Sequence, residues 1–134
     1  MERPISRATS SAWTIWRRAI LGGNLTIWTE SSSGCRFGAD RAGAPGRTSE
    51  AIGEFVARTF LADLRSGATV DRHLADQLVL FAALAHGRSR YVVPHVTDHV
   101  LSNVWLVSQF GATVTMVSKS VTVDGINLKR RVVP

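Results

Sequence analysis

Three stretches of the chain place apolar residues at helical spacing between a residue that can cap a helix and a glycine that can end one. They are Ser49–Gly67, Asp71–Gly87 and Thr97–Gly111, with Asp71 and Thr97 as the predicted N-caps of the second and third helices. An amphipathic helix needs a surface that covers its apolar face. The predicted apolar faces are Ile52, Phe55, Val56, Phe60 and Leu64; Leu74, Leu78, Phe81, Ala82 and Ala85; and Val100, Leu101, Val104, Trp105 and Val107.

Short runs with strand character supply that surface. Apolar and polar residues alternate after Gly23, and β-branched residues dominate a run near the C-terminus. Asp124-Gly125 is a hairpin signal that precedes Ile126 and Leu128. The order from Gly23 is therefore β, β, α, α, β, α, β, β, which predicts an α+β fold with the helices on one face of a sheet. The predicted strands are Leu25–Thr29, the region of Cys35 and Phe37, Arg90–Val93 and Thr113–Val117.

Composition narrows the class of protein. With 45% hydrophobic and 19% charged residues, 134 residues suit one globular domain. A net charge of +6 favours a polyanionic partner such as nucleic acid or nucleotide, with a solubilising surface charge as the alternative. The single Cys35 cannot form an internal disulfide, which indicates a reducing compartment. The longest apolar run, Leu78–Ala85, is far shorter than the roughly 20 residues that span a bilayer, so no membrane association is expected.

Besides its apolar face, each of two predicted helices has a second stripe of residues that begins with polar side chains at the N-terminal end. At about 100° per residue, the third helix aligns His99 and Asn103 ahead of Phe110. The second helix aligns Asp76 ahead of Leu80 in the same way. Both stripes are candidate ligand-binding surfaces, and the alternative is that they are solvated first turns. The complete stripes are His99, Ser102, Asn103, Leu106 and Phe110, and His73, Asp76, Gln77, Leu80 and Leu84.

His99 is the strongest candidate for chemistry because it falls in the first turn after the Thr97 cap. The unpaired N–H groups and the dipole there favour an anion and disfavour imidazolium. A neutral imidazole at such a position is suited to attack a nucleotide phosphate. Three alternatives are less favoured: a metal held by His95 and His99, a reactive rather than packed Cys35, and a functional role for His86, which is expected at a helix C-terminus beside Gly87.

Three segments resemble the C-terminal region of RNA 3'-terminal phosphate cyclases in order and spacing. They are the stretch Gly23–Cys35, the run Val70–Val79 that contains His-Leu-Ala-Asp-Gln, and Thr97-Asp-His99 followed by Ser102-Asn103. The resemblance covers residues 23 to about 128. It implies a fold of repeated βαβαββ units, of which this chain would hold the last unit and elements that precede it. The domain is expected at 23–134, after an unmatched basic leader at 1–22 that is disordered or artefactual.

The same resemblance implies an ATP-dependent enzyme. In that family a histidine attacks the α-phosphate of ATP, and AMP then passes to an RNA 3'-phosphate, which ends as a 2',3'-cyclic phosphate. His99 takes the position of the nucleophile. A divalent ion, Mg²⁺ or Mn²⁺, assists, and the partner is RNA with a 3'-terminal phosphate in the cytoplasm. The segment that corresponds to ATP binding is His73, Leu74, Ala75, Asp76 and Gln77.

The N-terminal repeats of the family have no counterpart in the sequence, so we expect a fragment with apolar surfaces through which it can associate. Two other functions stay open. One is a cyclase-like factor of ribosomal RNA processing and ribosome biogenesis, which lacks the adenylated histidine and is disfavoured by His99. The other is a small basic RNA-binding module carrying Trp13, Trp16, Trp28 and Trp105. The last is disfavoured because Trp28 and Trp105 are expected to pack in the core.

Overall fold

The computed structural model describes the backbone of residues 14–20 and both backbone and side chains of residues 23–129. From Gly23 the order of elements is the predicted one, and the α+β class is confirmed. One further strand, β1, lies within the predicted leader, whose other residues lie outside the described ones. The described elements are β1 Thr14–Ile20, β2 Asn24–Glu30, β3 Arg36–Ala42, α1 Ser49–Arg65, α2 Arg72–Leu84, β4 His86–Val92, α3 Asp98–Gln109, β5 Thr113–Val117 and β6 Ser120–Ile126.

The chain divides into two compact units, which we call unit 1 (Met1–Asp71) and unit 2 (Arg72–Pro134). This division falls at a different place from the boundary predicted at residue 22, which stays a prediction. No helix in the described ranges has the length and apolar character needed to cross a membrane.

Unit 1 is an antiparallel sheet, in the order β1-β2-β3, packed against α1. The helix begins as predicted, with the Thr48 side chain accepting a hydrogen bond from the Ala51 N–H at 3.2 Å. Gly67, with φ of 74°, follows its end. The thiol-bearing Cys35 packs against the core, as a packing residue should. The buried cluster consists of Phe37, Ala39, Ile52, Val56 and Phe60, so the predicted face of α1 is confirmed.

The outer edge of β3 is closed by a side chain. The Gly38 N–H donates to the Asp71 carboxylate at 2.9 Å. Gly38 lies at the middle of β3, which is the last strand in the order β1-β2-β3. Asp71 therefore satisfies a backbone donor on a strand edge, in addition to its position directly before α2.

Unit 2 is an antiparallel sheet in the order β4-β6-β5, and α2 and α3 pack against it and against each other. On the central strand Val121 and Val123 are fully buried, and Tyr91 of β4 pairs with Val121 on the same face. The opposite face carries exposed charged residues, where the Arg88 guanidinium donates to both oxygens of Asp124 at 2.7 and 3.1 Å. The helices therefore lie on one face of this sheet, as predicted.

The buried face of α2 differs from the predicted one. Phe81 is 67% exposed, whereas the buried residues are Ala75, Val79, Ala82 and Ala83. A side chain at Gly125 of β6 would lie 2.6 Å from the Ala82 carbonyl oxygen and closer still to that of Ala85. The helix backbone thus comes so close to the strand that only small residues fit between them. Close approach, not the largest apolar face, determines which side of α2 is buried.

Two turn predictions near these elements are wrong. Helix α2 ends at Leu84, and Gly87 lies inside β4 opposite Gly125 instead of terminating the helix. Asp124-Gly125 likewise lies inside β6, where the glycine is needed for the close approach of α2. The β5–β6 hairpin instead turns at Ser118-Lys119, with Ser118 at φ of 54° and Val117 paired with Ser120.

Candidate functional site

His99 lies in the first turn of α3, as predicted. The Thr97 side chain accepts a hydrogen bond from the Val100 N–H at 3.3 Å and has the extended backbone of an N-cap. The His99 side chain is exposed, whereas its neighbour Val100 is fully buried. The helix is therefore anchored by Val100 while the imidazole faces solvent, where a ligand can reach it.

The segment predicted to bind ATP forms the first turns of α2. Ala75 is buried and faces the core, Leu74 and Asp76 are half-buried, and His73 and Gln77 are exposed. The five residues thus divide between a side that packs and a side that is open to a ligand. That the polar stripes of α2 and α3 face one cleft stays a prediction.

Two side chains hold this segment through its main chain. The Asn103 amide of α3 donates to the Asp76 carbonyl oxygen at 3.0 Å. The Tyr91 hydroxyl of β4 donates to the Ala75 carbonyl oxygen at 3.4 Å, in a buried position. Asn103 lies on the predicted polar stripe, whereas the strand position of Tyr91 gives no sign in the sequence of a contact with a helix carbonyl.

The environment of Tyr91 also perturbs its titration. Burial, and secondarily the nearby negative charge of Asp76, raises the pKa of Tyr91 to about 12. The phenol therefore stays neutral and remains a hydrogen-bond donor throughout the physiological pH range. Tyr91 is thus suited to support α2 and not to transfer protons near neutral pH.

The other histidines occupy different settings. His95 is exposed and precedes the Thr97 cap, so it does not lie on α3. His86 is exposed and begins β4, so the prediction that places it at a helix C-terminus is wrong. Within the described part of the chain, no three His, Cys, Asp or Glu side chains lie close enough together to hold a metal ion.

A shallow apolar groove lies on α3, beyond His99. Its volume is about 610 Å³, and it is lined by Leu101, Ser102, Asn103, Trp105 and Leu106. Trp105 is 65% exposed and Leu101 is also exposed, so their predicted places in the core are wrong. The buried residues of α3 are instead Val100 and Val107. The α3 surface next to His99 is therefore apolar and uncovered.

Arg88 and Asp124, on the opposite face of the unit 2 sheet, are paired with each other. The Asp124 carboxylate raises the pKa of Arg88 by hydrogen bond and charge. Arg88 in turn lowers the pKa of Asp124, mainly through its hydrogen bond. Both side chains are exposed, and such pairs contribute little to stability.

Comparisons with known proteins agree with the resemblance. The family model described as RNA 3'-terminal phosphate cyclase matches residues 3–117. The RNA 3'-terminal phosphate cyclase of Caldivirga maquilingensis is 40% identical over 89 residues, which are 66% of this chain and 25% of that protein. Its namesake in Methylococcus capsulatus is 42% identical over 97 residues, 72% of this chain and 27% of that protein. The chain spans about a quarter of the length of these relatives. With the family model matching most of its residues, the chain belongs to the RNA 3'-terminal phosphate cyclase family.

Proposed function

We propose that the chain supplies the nucleophile and part of the nucleotide-binding surface of an RNA 3'-terminal phosphate cyclase. The observation that carries the proposal is the placement of His99, exposed in the first turn of a capped helix within a chain of this family. Unpaired N–H groups at such a helix end favour the negative charge of a phosphate. The substrates are ATP and an RNA with a 3'-terminal phosphate, and we place the reaction in the cytoplasm.

The proposed reaction has three covalent steps. An imidazole nitrogen of His99 attacks the α-phosphorus of ATP, which forms an N–P bond and releases pyrophosphate. An oxygen of the RNA 3'-phosphate then attacks the same phosphorus, so that AMP passes to the RNA and the histidine is freed. Finally the neighbouring 2'-hydroxyl attacks the 3'-phosphorus and expels AMP, which leaves the 2',3'-cyclic phosphate and releases the hydroxyl proton.

The segment His73–Gln77 is proposed to bind the nucleotide. It begins α2 and presents His73 and Gln77 to solvent, with the Asp76 carboxylate half-buried beside them. The proposal includes a divalent ion, Mg²⁺ or Mn²⁺, and Mg²⁺ is usually held by one or two carboxylates together with the phosphates of the nucleotide.

The rest of the enzyme is proposed to associate with unit 2 through its apolar surface. Phe81 and Trp105 project from α2 and α3 with about two thirds of each side chain exposed, at 67% and 65%. The relatives are about four times the length of the matched segment, so they contain polypeptide that can cover such a surface. We expect the chain alone to bind an apolar dye, and Phe81→Ser with Trp105→Ser to reduce that binding while Val117→Ser, on β5, does not.

The reaction is tested with ATP labelled at the α-phosphate. The full chain is mixed with the remaining part of the Methylococcus capsulatus enzyme, supplied as a separate polypeptide, and protein-bound label is measured. We expect a label that is labile in acid and survives mild base, as a phosphoramidate does. His99→Ala should abolish both labelling and cyclisation, because loss of a covalent nucleophile removes the pathway.

Matched variants separate the nucleophile from its surroundings. His86→Ala and His95→Ala change exposed histidines outside α3 and should keep the label. Asp76→Ala or Gln77→Ala should weaken the use of ATP while some labelling remains. Label on the His99→Ala protein at the level of the parent would show that another residue is the nucleophile. A cyclase-like factor without catalysis would give no label on any of these proteins.

A further inference from the structure

The contact between α2 and α3 includes a directional hydrogen bond from the Asn103 side chain. The buried residues of α2 are three alanines and one valine, and those of α3 are two valines. Short side chains of this kind leave shallow ridges, so packing alone distinguishes poorly between neighbouring axial positions. The hydrogen bond from the Asn103 amide to the Asp76 carbonyl oxygen, at 3.0 Å, has a specific length and direction. It therefore favours one axial position of α3 against α2.

The acceptor of this hydrogen bond, the Asp76 carbonyl oxygen, has a fixed position. The Asp76 carbonyl belongs to the backbone of α2 and cannot rotate away as a side chain could, and Asn103 is itself half-buried. A single polar residue at a helix contact is known to fix register in this way. Loss of the amide donor would remove this constraint on the axial position of α3 against α2, while Val100 and Val107 keep the helix in the core.

Asn103 is also placed to transmit its register to His99. The two residues are four apart on α3, so they lie about 6 Å apart along the axis and about 40° apart around it. Asp76 is a member of the segment that we propose binds ATP. We propose that Asn103 is a positioning residue that sets the register of α3 against α2 and thereby places the His99 imidazole relative to the nucleotide.

This role rests on the proposed function and predicts a large kinetic effect. A shift of α3 along its axis by about 1 Å, less than the rise of one residue, would move the His99 imidazole by the same distance. A displacement of about 1 Å in a reacting group can cost about 100-fold in rate. Nucleotide binding by α2 would change little, because its segment is also held by the Tyr91 hydroxyl on the Ala75 carbonyl.

The test uses Asn103→Asp in the full chain, because the carboxylate is isosteric but has no N–H to donate. Ser108→Ala is the matched control, since it removes another α3 hydrogen bond, from the Ser108 hydroxyl to the Val104 carbonyl oxygen at 2.8 Å. Register is read by the distance between spin labels at Leu80 and Leu106, both exposed, in a Cys35→Ser background. Rate is read as labelling of His99 at saturating ATP, with the remaining part of the enzyme supplied as above.

We expect Asn103→Asp to broaden the distance distribution and lower the maximal labelling rate by 10-fold or more, with the half-saturating ATP concentration within about 2-fold of the parent. Ser108→Ala should change neither. Should Asn103→Asp fold poorly, Asn103→Ser, whose hydroxyl is too short to reach the carbonyl, is measured per folded molecule. An unchanged distance distribution would overturn the proposal, as would a parental rate per folded molecule. Absence of label on the parent would count against the proposed function instead, and the distances would still decide on Asn103.

Discussion

The two units use their large apolar side chains in opposite ways. In unit 1, α1 turns Ile52, Val56 and Phe60 into the core, and its remaining phenylalanine, Phe55, is covered by the Arg41 guanidinium 3.8 Å from the ring centroid. In unit 2, the helices bury alanines and valines, while Phe81 is left 67% exposed. Unit 1 therefore buries most of the large apolar side chains of its helix, although Leu61 is exposed, whereas the helices of unit 2 leave their largest apolar side chains in solvent. His99, the candidate nucleophile, lies on one of these unit 2 helices.

The largest expected difference between the units is the cost of removing a phenylalanine ring. Phe60→Ala in unit 1 should lower the free energy of unfolding by about 3 to 5 kcal/mol, because it opens a cavity in a closed core. Phe81→Ala in unit 2 should change it by less than about 0.5 kcal/mol, since the ring is mostly in water. Peptide-resolved hydrogen exchange during denaturant unfolding measures each unit separately. Equal losses for the two variants would break the comparison.

Two glycines provide the next contrast. Gly125→Ala should destabilise unit 2 by about 1 to 3 kcal/mol, because a methyl group there meets the Ala82 carbonyl oxygen at 2.6 Å. Gly53→Ala in α1 has nothing within 4 Å and should stabilise unit 1 by up to about 1 kcal/mol. Thermal unfolding, followed separately for each unit, measures the loss of stability in unit 2 and the gain in unit 1. A neutral Gly125→Ala would show that α2 does not need its close approach to β6.

The helix caps should instead behave alike in the two units. Thr48→Ala and Thr97→Ala each remove a side-chain acceptor for a first-turn N–H and should cost about 1 kcal/mol. Serine at either position should restore most of the loss, because its hydroxyl accepts the same bond. Denaturant midpoints with an unchanged slope provide the measurement. A cap that costs nothing at Thr97 would indicate that α3 begins elsewhere, and His99 would lose its first-turn position.

The smallest expected effect is that of Tyr91 ionisation on stability, which is absent at neutral pH and appears only at alkaline pH. Because the pKa of Tyr91 is raised to about 12 from 10.0, the folded state holds the phenolic proton more tightly than the unfolded state does. The resulting stability is fully present below pH 10 and is lost as the pH rises toward 12. Tyr91 is the one tyrosine of the sequence, so absorbance at alkaline pH reports it directly. Tyr91→Phe should remove this pH dependence, and titration of the parent near pH 10 would contradict the burial of the phenol.

The sequence predicts unit 1 more completely than the helices of unit 2. In α1 the large apolar residues other than Leu61 form a single stripe, so their spacing identifies the buried face that contains Val56 and Phe60. In α2 two stripes are apolar, one with Leu74, Leu78 and Phe81 and one with small residues. Periodicity cannot choose between them. The choice depends on Gly125, which lies far along the chain and which local turn chemistry misassigns to a hairpin.

The candidate site shows the same limit. The Thr97 cap and the first-turn position of His99 follow from local signals, because a cap depends on neighbouring residues only. The bond between Asn103 and Asp76 joins residues 27 apart in sequence, although both stood on predicted polar stripes. Helical spacing predicts which residues share a face, but not which two will meet across the contact between the helices.

Asp71 bears on how two copies of the chain can recognise each other. Exposed strand edges invite pairing with a second molecule, and proteins block them with charge or cover. On β3 the Asp71 carboxylate accepts a hydrogen bond from the Gly38 N–H, and the charged residues Arg36 and Asp40 lie two positions away on either side of Gly38. By contrast β5, the last strand in the order β4-β6-β5, contains neither charge nor proline over Thr113–Val117. Aggregation by strand addition should therefore proceed along β5, and a lysine introduced at Thr115 should suppress it.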